Sequence, residues 1–299
     1  SAGTALKWVL PPLAVLFGYA YLRGDRLHGA AAGALGLAGI VPLLFVLYEL
    51  LVHPMGMSMR GGVPRFTGPY AQSSVYGIHF SLMLMGAGYL ALKREGWTFF
   101  LVLLVAAGVM GIAAAFVVHV SSWAVLAALT GLTVLFLLRR KSWLRAALLA
   151  GTVIVTTAAG FLLRPEHTYR WVLLRDVEIV KGEFPAEQFA NSRGLIWSRI
   201  VRDYARLPLH AQIFGSSLSG RNNFGATGFG AHNDFLRILM TTGIAGLALY
   251  LLWLARTVRS VLRQEESHMY FGAACLIILL GYSIALTPTY IMPLVTGVL

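Results

Sequence analysis

The sequence predicts an all-α polytopic membrane protein. Hydrophobic residues make up 58% of the 299 residues and charged residues only 12%, whereas a soluble domain usually carries about 25% charged residues. Apolar runs of roughly 20 residues recur along the chain, which is the length that a helix needs to cross the hydrocarbon core of a bilayer. Strands of a transmembrane β-barrel would instead form short segments of alternating hydrophobicity.

About eight to nine transmembrane helices are expected in this chain, because that many segments are sufficiently long and apolar. The last of them begins at Thr289 and continues to the end of the sequence. The others are 5–22, 29–52, 73–92, 97–117, 119–138, 144–163, 234–255 and 269–287.

Basic residues concentrate in every second loop. The net charge is +12, but no surface combines basic and aromatic residues in the way that nucleic-acid binding requires, so we expect no nucleic-acid partner. The positive-inside rule makes these loops cytoplasmic and places loop 53–72 and the long loop 164–233 outside. The clusters are Arg23 and Arg26, Lys93 and Arg94, Arg139 to Lys141 with Arg145, and Arg256, Arg259 and Arg263.

The same topology defines the domain organisation. Residues 1–163 form a bundle of about six helices, residues 164–233 an external loop domain that is partly helical, and residues 234–299 the C-terminal helices of the same bundle. Ser1 falls on the outer side at the start of a helix, so we expect an odd number of further helices before it.

An amphipathic helix is expected over 186–207, because apolar residues from Leu195 to Tyr204 recur at helical spacing. It lies on the outer leaflet or packs over the bundle. Asn191 or Ser192 can cap it, which puts Arg193 in the first turn, where the helix dipole disfavours a cation. Arg193 is therefore either held there by a bound anion or simply solvated.

Segment 213–230 is rich in glycine, serine and asparagine and contains Arg221. Such a backbone can approach a ligand closely. The alternative is a disordered loop with one basic residue.

The stretch GAHNDFLRILMTTGIAG, residues 230–246, brings polar groups to the start of an apolar helix. Asn233 or Asp234 can cap this helix, and Asp234 and Arg237 can pair at i,i+3. The helix dipole and nearby arginines disfavour the imidazolium form of His232, so we expect a neutral imidazole that can accept a proton. We interpret Gly243 and Gly246 as packing residues.

Other candidate residues flank this stretch in the fold. The outer loop RGGVPRFTGPYAQ, residues 60–72, supplies Arg65, and Glu49 near the outer end of the second span can orient a histidine or pair with an arginine. Cys275 lies in an apolar span and is expected to be a buried thiol. We assign structural roles to His79 and His119.

The external residues combine several fixed cations with one neutral base. No Cys/His spacing suggests a metal site and no glycine-rich nucleotide loop is present, so we expect no metal and no cofactor. A lipid carrying a pyrophosphate fits this set, since arginines bind phosphate through two parallel hydrogen bonds and can stabilise a departing pyrophosphate.

Four segments carry a resemblance to a known family. AHNDFLRILMTTGIAGLALYLL (231–252) looks like the histidine motif of the O-antigen ligase and O-antigen polymerase superfamily. NSRGLIWSRI (191–200), with Arg193 and Trp197, resembles its arginine–tryptophan segment. IFGSSLSG (213–220) and PRFTGPYAQSSVYGIHFSL (64–82) are similar to its glycine turn and its earlier external loop.

The resemblance implies a GT-C glycosyltransferase of about twelve helices in full, located in the bacterial inner membrane with its active site facing the periplasm. It implies a glycan donor on undecaprenyl pyrophosphate and, as acceptor, a lipid A core, another lipid-linked glycan or a protein hydroxyl. Other polysaccharide-assembly proteins are expected partners beside the lipid bilayer. His232 would be the catalytic base, with Arg193, Arg65 and Arg221 on the pyrophosphate and Asn233, Arg237, Trp197 and Glu49 in support.

Two classes of function remain as alternatives. A flippase or another transporter of lipid-linked oligosaccharide also has many helices and internal cations, but it is expected to carry charges deep in several spans and repeat symmetry. A membrane scaffold that accompanies a synthase would not depend on the external arginines and histidine.

Overall fold

A computed structural model describes residues 25–38, 40–52, 57–60, 63–66, 73–94, 96–117, 119–163, 189–216 and 233–285. The described chain is helical apart from one two-stranded hairpin. Its elements are α1 (Asp25–Ala38), α2 (Ile40–Leu51), β1 (Met57–Arg60), β2 (Val63–Phe66), α3 (Ser73–Arg94), α4 (Trp97–Val117), α5 (Val120–Arg139), α6 (Trp143–Leu162), α7 (Phe189–Ala205), α8 (Leu209–Phe214), α9 (Asp234–Val261) and α10 (Glu266–Ala285).

Within the described residues, six helical segments are long and apolar enough to cross a membrane. This confirms the expectation of a helical membrane protein, whereas the number of eight to nine spans stays a prediction. The predicted spans 5–22 and from Thr289 onward lie outside the described residues. The six segments are Ala32–Glu49, Trp97–Val117, Ser121–Arg139, Trp143–Leu162, Asp234–Val261 and Glu266–Ile284.

Two predicted spans can be compared with the first helices of the bundle. Predicted span 29–52 contains α1 and α2; Gly39 between them lies outside the described residues, and one segment that is apolar enough to cross a membrane, Ala32–Glu49, extends across both. Predicted span 73–92 lies within α3, a helix of 22 residues that is not among the six segments apolar enough to cross a membrane. Nearly all of α3 from Tyr76 onward is buried, against α1, α2, α4 and α5. A helix surrounded by protein needs no continuous apolar surface, so α3 tolerates polar residues such as Ser81.

The chain divides into two compact units. The bundle unit consists of residues 21–172 and 264–281, and the loop unit of residues 1–20, 173–263 and 282–299. In the bundle unit, α4 and α6 approach closely because their contact is built from small residues: a Cβ on Gly111 would overlap Thr156, and one on Gly160 would meet the Ile112 carbonyl. Small residues at helix contacts are typical of membrane bundles.

In the loop unit, the amphipathic helix α7 packs against α9. Ile200 and Tyr204 of α7 are buried with Met240 of α9, and Leu236 and Leu239 extend this cluster. The expected amphipathic helix is therefore present, and it packs on a helix of its own unit.

The predicted cap of this helix at Asn191 or Ser192 is wrong. The described helix runs from Phe189, so Asn191 and Ser192 are helical positions and Arg193 lies beyond the first turn. Residues 186–188 of the predicted helix lie outside the described residues. The dipole argument for an anion at Arg193 accordingly no longer applies.

Helix α9 is broken at Gly243, where φ is +69° and ψ is −170°. Only glycine adopts this backbone conformation readily. The break frees the Met240 carbonyl, which accepts hydrogen bonds from Ser216 N and Ser216 Oγ, both at 3.1 Å. A Cβ on Gly243 would overlap the main chain at Ile213, and one on Gly215, with φ +90°, would overlap Thr241. The sequence reading of Gly243 as a packing residue is correct but incomplete, because the residue also sets the bend.

We predict that Gly243→Ala lowers the free energy of unfolding by about 2–4 kcal/mol, because alanine disfavours a positive φ and its methyl group overlaps Ile213. Denaturant unfolding of the purified protein in detergent measures this change. Gly131→Ala on α5 is the matched control, since nothing lies within 4 Å of the added carbon. Equal effects of the two substitutions would contradict the role assigned to Gly243.

Candidate functional site

The amino end of α9 is fixed by a side-chain cap. Asn233 has the extended backbone of an N-cap residue, and its Oδ1 accepts a hydrogen bond from Leu236 N at 3.1 Å. Its Nδ2 lies 3.5 Å from the Ile284 carbonyl oxygen of the same unit. The prediction of a cap at this position is confirmed, and Asn233 is the residue that provides it.

A buried ion pair follows the cap. Arg237 Nε lies 3.0 Å from Asp234 Oδ1, and the exposed fractions of the two side chains are 3% and 0%. Ser283 Oγ lies 3.5 Å from the other oxygen of the Asp234 carboxylate. The predicted i,i+3 pair is therefore present. Because its guanidinium is bound to Asp234, Arg237 stabilises the start of α9 from inside the protein.

Tyr250 and Ser283 were not found from the sequence. The Tyr250 hydroxyl is buried within electrostatic reach of Asp234 and Arg237, and its ring packs edge-on against Phe235 with centroids 5.8 Å apart. Both are polar residues inside apolar spans, and that signal could have identified them. They extend the polar group at the start of α9.

Arg193 differs from the other arginines of α7. It is half-buried, whereas Arg199, Arg202 and Arg206 are exposed. Arg193 and Trp197 are one turn apart, on the face that also carries Ile200, and both make polar, ring or electrostatic contacts. Arg193 is therefore part of the face of α7 that packs within the loop unit.

The predicted site residues fall into three groups according to the unit in which the structure places them. Asn233, Arg237, Arg193 and Trp197 belong to the loop unit, whereas Glu49 and Arg65 belong to the bundle unit. His232 and Arg221 lie outside the described residues.

Glu49 has a hydroxyl group as a neighbour. Its side chain is only 3% exposed, and Oε2 accepts a hydrogen bond from Tyr76 OH at 2.9 Å. The expected histidine or arginine beside Glu49 stays a prediction, and the sequence did not identify this tyrosine. The bond links α2 to α3 within the bundle unit.

Arg65 lies in the β-hairpin, a feature that was not expected from the sequence. In β2 it stands opposite Ser58 of β1. Gly61 and Gly62 between the strands are the signal that could have revealed the hairpin, since two-residue hairpin loops favour glycine.

Two further side chains have structural positions in the bundle unit. His119 Nδ1 accepts a hydrogen bond from Ser122 N at 3.3 Å and so caps α5. Cys275 is buried, as predicted, with its Sγ 3.4 Å from Met85 Sδ.

Comparison with protein-family models, with curated proteins and with solved structures gives no match to this chain. Among the described residues, no three His, Cys, Asp or Glu side chains come together in a group that could hold a metal ion. The function is therefore argued from the residues, their contacts and the motif resemblance.

We predict that Asp234→Asn destabilises the protein by about 3–5 kcal/mol, because it leaves the buried Arg237 charge without its counter-ion. Replacing both residues, as Asp234→Leu with Arg237→Met, should cost less than the single change. Unfolding in detergent measures both effects. Glu266→Gln is the control, since its pair with Arg140 is partly exposed and should contribute no more than about 1 kcal/mol. A cost of Asp234→Asn as small as that of the control would contradict the prediction.

Proposed function

We propose that this protein is a membrane glycosyltransferase of the O-antigen ligase and polymerase type. It would transfer a glycan from undecaprenyl pyrophosphate to a sugar hydroxyl on the periplasmic face of the bacterial inner membrane, in the synthesis of O-antigen or another surface polysaccharide. The motif resemblance and the polar start of α9 support this proposal.

The observation that carries the proposal is the rigid start of α9. Asn233 caps the helix and Asp234 forms a buried pair with Arg237, so the main chain is held at these positions. His232 is bonded directly to Asn233 in the sequence. A catalytic base needs a supported position, and sites built on fixed secondary structure are the more accurate ones.

The second supporting observation is the position of Arg193. This arginine lies on the face of α7 that packs in the loop unit, the unit to which α9 also belongs. An arginine fixed by packing can offer a planar pair of donors to a phosphate at little entropic cost. We assign it the pyrophosphate, with Arg65 and Arg221 as further cations.

The proposed reaction is a single displacement. His232 removes the proton from the acceptor hydroxyl, and the oxygen forms a bond to the anomeric carbon. The bond from that carbon to the pyrophosphate oxygen breaks, and undecaprenyl pyrophosphate leaves with its charge stabilised by the arginines. In this scheme the anomeric configuration inverts and no metal is required.

Transport of a lipid-linked oligosaccharide is the second candidate. Transporters often contain discontinuous helices and buried charges, and α9 has both a break at Gly243 and the Asp234–Arg237 pair. The two functions differ in what they need. A transferase lengthens or relocates the glycan in detergent solution, whereas a flippase shows activity only across sealed vesicles.

The acceptor is a separate question, which one assay with purified protein addresses. A polymerase lengthens a lipid-linked repeat unit without other acceptors. A ligase forms product only when lipid A core is added. A protein O-oligosaccharyltransferase, the alternative within this superfamily, would require a protein hydroxyl.

We predict that His232→Ala lowers the transfer rate by about 10²- to 10⁴-fold, the usual contribution of a general base, while the donor still binds. The measurement is glycan transfer in detergent together with donor binding. His210→Ala is the control, because His210 is an exposed histidine of the same unit. Near-normal transfer by the His232 variant would remove this residue from the catalytic role.

Arg193→Gln should raise the KM for the lipid-linked donor by about ten- to a hundredfold, since it removes charged hydrogen bonds to the pyrophosphate. Arg199→Gln on the same helix should leave KM unchanged, because Arg199 is exposed. Steady-state kinetics over a range of donor concentrations separate the two variants. If both change KM to the same extent, Arg193 acts only through the general charge of the helix.

A further inference from the structure

Helix α9 folds back on itself at Gly243. The rings of Phe235 and Tyr250 pack edge-on with their centroids 5.8 Å apart, although the two residues are 15 positions apart in the sequence. In a continuous helix this separation corresponds to a rise of about 22 Å, which two aromatic side chains cannot bridge. The two halves of the helix, 234–242 and 244–261, are therefore folded toward each other at the break.

The fold-back brings Tyr250 to the buried ion pair at the start of the helix. Its hydroxyl is buried beside Ser283 and within electrostatic reach of Asp234 and Arg237. Arg237 Nε lies 3.0 Å from one oxygen of the Asp234 carboxylate, and Ser283 Oγ lies 3.5 Å from the other. Four polar side chains thus come together within the loop unit, two from the first half of α9 and one from the second.

Ring contacts hold Tyr250 in this place. Trp253, one turn further along the second half of α9, stacks on its ring with centroids 5.7 Å apart and an interplanar angle of 24°. Phe235 contacts the same ring from the first half. Because two aromatic neighbours restrict the ring, the hydroxyl stays beside the ion pair at little further entropic cost.

The hydroxyl of Tyr250 has a chemical use at this position. A buried carboxylate needs hydrogen-bond donors as well as a cation. A tyrosine hydroxyl can donate to Asp234 directly or through Ser283, whose own hydroxyl both accepts and donates. Loss of the Tyr250 hydroxyl would weaken the support of the carboxylate, and with it the support of the turn that Asn233 caps.

We propose that Tyr250 is a positioning residue for the site at the start of α9. Through Ser283 and Asp234 it fixes the capped turn, and this turn determines where the preceding residue, His232, is held. The role rests on the proposed glycosyl transfer, in which His232 is the base. Tyr250 contacts neither substrate in this scheme. It acts on the geometry of the base, and a misplacement of about 1 Å can lower a rate by about a hundredfold.

Tyr250→Phe tests the role, because it keeps the ring and removes only the hydroxyl. With purified full chain in detergent, it should lower kcat about tenfold, the effect of losing a hydrogen bond to a charged group. The KM for the lipid-linked donor should stay unchanged. The rate is expressed per folded molecule, so that a loss of stability alone does not lower it.

Tyr270→Phe is the matched control. It also removes a buried tyrosine hydroxyl, one that lies 2.9 Å from Thr133 Oγ1 in the bundle unit. This variant should leave kcat unchanged.

Ser283→Ala separates positioning from structural damage. If both hydroxyls act on the same carboxylate, Tyr250→Phe combined with Ser283→Ala should lower kcat by much less than the product of the two single effects. Unrelated structural losses would multiply instead, and this outcome would overturn the coupling of Tyr250 to Asp234.

The fold-back is tested without any activity. Cys275→Ala removes the only cysteine of the chain, and Phe235→Cys with Tyr250→Cys then introduces a pair of thiols. A short bifunctional thiol reagent should join this pair, as peptide mass spectrometry would show. The control pair, Ile244→Cys with Arg259→Cys, has the same spacing within the second half of the helix and should not be joined.

The results distinguish the role of Tyr250 from the proposed function. Absence of transfer by the unmodified chain would remove the proposed function and this role together. Normal transfer by Tyr250→Phe, when the unmodified chain is active, would overturn the positioning role alone. An equal loss of kcat in Tyr270→Phe would show a general effect of lost hydroxyl groups. Failure to join positions 235 and 250, or joining of the control pair, would overturn the fold-back on which the role depends.

Discussion

A charge that is buried in an apolar bundle must have a partner, and the structure depends on this constraint. Asp234 and Arg237 are almost completely buried, and each neutralises the other within a single turn of α9. Because breaking such a pair leaves an uncompensated charge, the start of α9 cannot easily unwind. Asn233 adds the cap that satisfies a free amide of the same turn. The residue that precedes this fixed turn is His232, on which the proposed chemistry depends.

Buried backbone carbonyl groups also need partners, in the form of hydrogen-bond donors. The break at Gly243 leaves the Met240 carbonyl without its helical donor, and Ser216 supplies two. This contact fixes the end of α8 against α9, and the apolar cluster around Ile200 and Met240 fixes α7 beside it. The Tyr204 hydroxyl of α7 donates a hydrogen bond to the Gln212 carbonyl of α8, so the contact at the break is connected to the helix that carries Arg193. Substitutions at the bend should therefore change donor binding as well as stability.

Segment length, hydropathy and helical spacing predicted much of the fold. The features that the sequence did not predict depend on contacts between residues that are distant along the chain. Segment length and hydropathy located α4, α5 and α6 closely, and spacing along one helix predicted the Asn233 cap and the Asp234–Arg237 pair. The positive φ of Gly243 could not be read from the sequence, because it depends on Ile213, which is distant along the chain. The sequence alone also does not explain why α3 contains polar residues. The explanation is that the neighbouring helices of the bundle unit bury α3. His232 and Arg221 stay predictions, because they lie outside the described residues.

The central claim is glycosyl transfer by a single displacement, and the anomeric configuration of the product tests it most directly. Purified protein in detergent would be given a polyprenyl-pyrophosphate-linked glycan of known configuration and an acceptor, and the new linkage would be determined by nuclear magnetic resonance. The account predicts transfer in detergent with inversion at the anomeric carbon. Retention would contradict the proposed displacement. Absence of transfer in detergent, together with movement of the lipid-linked glycan across sealed vesicles, would contradict the assignment as a transferase.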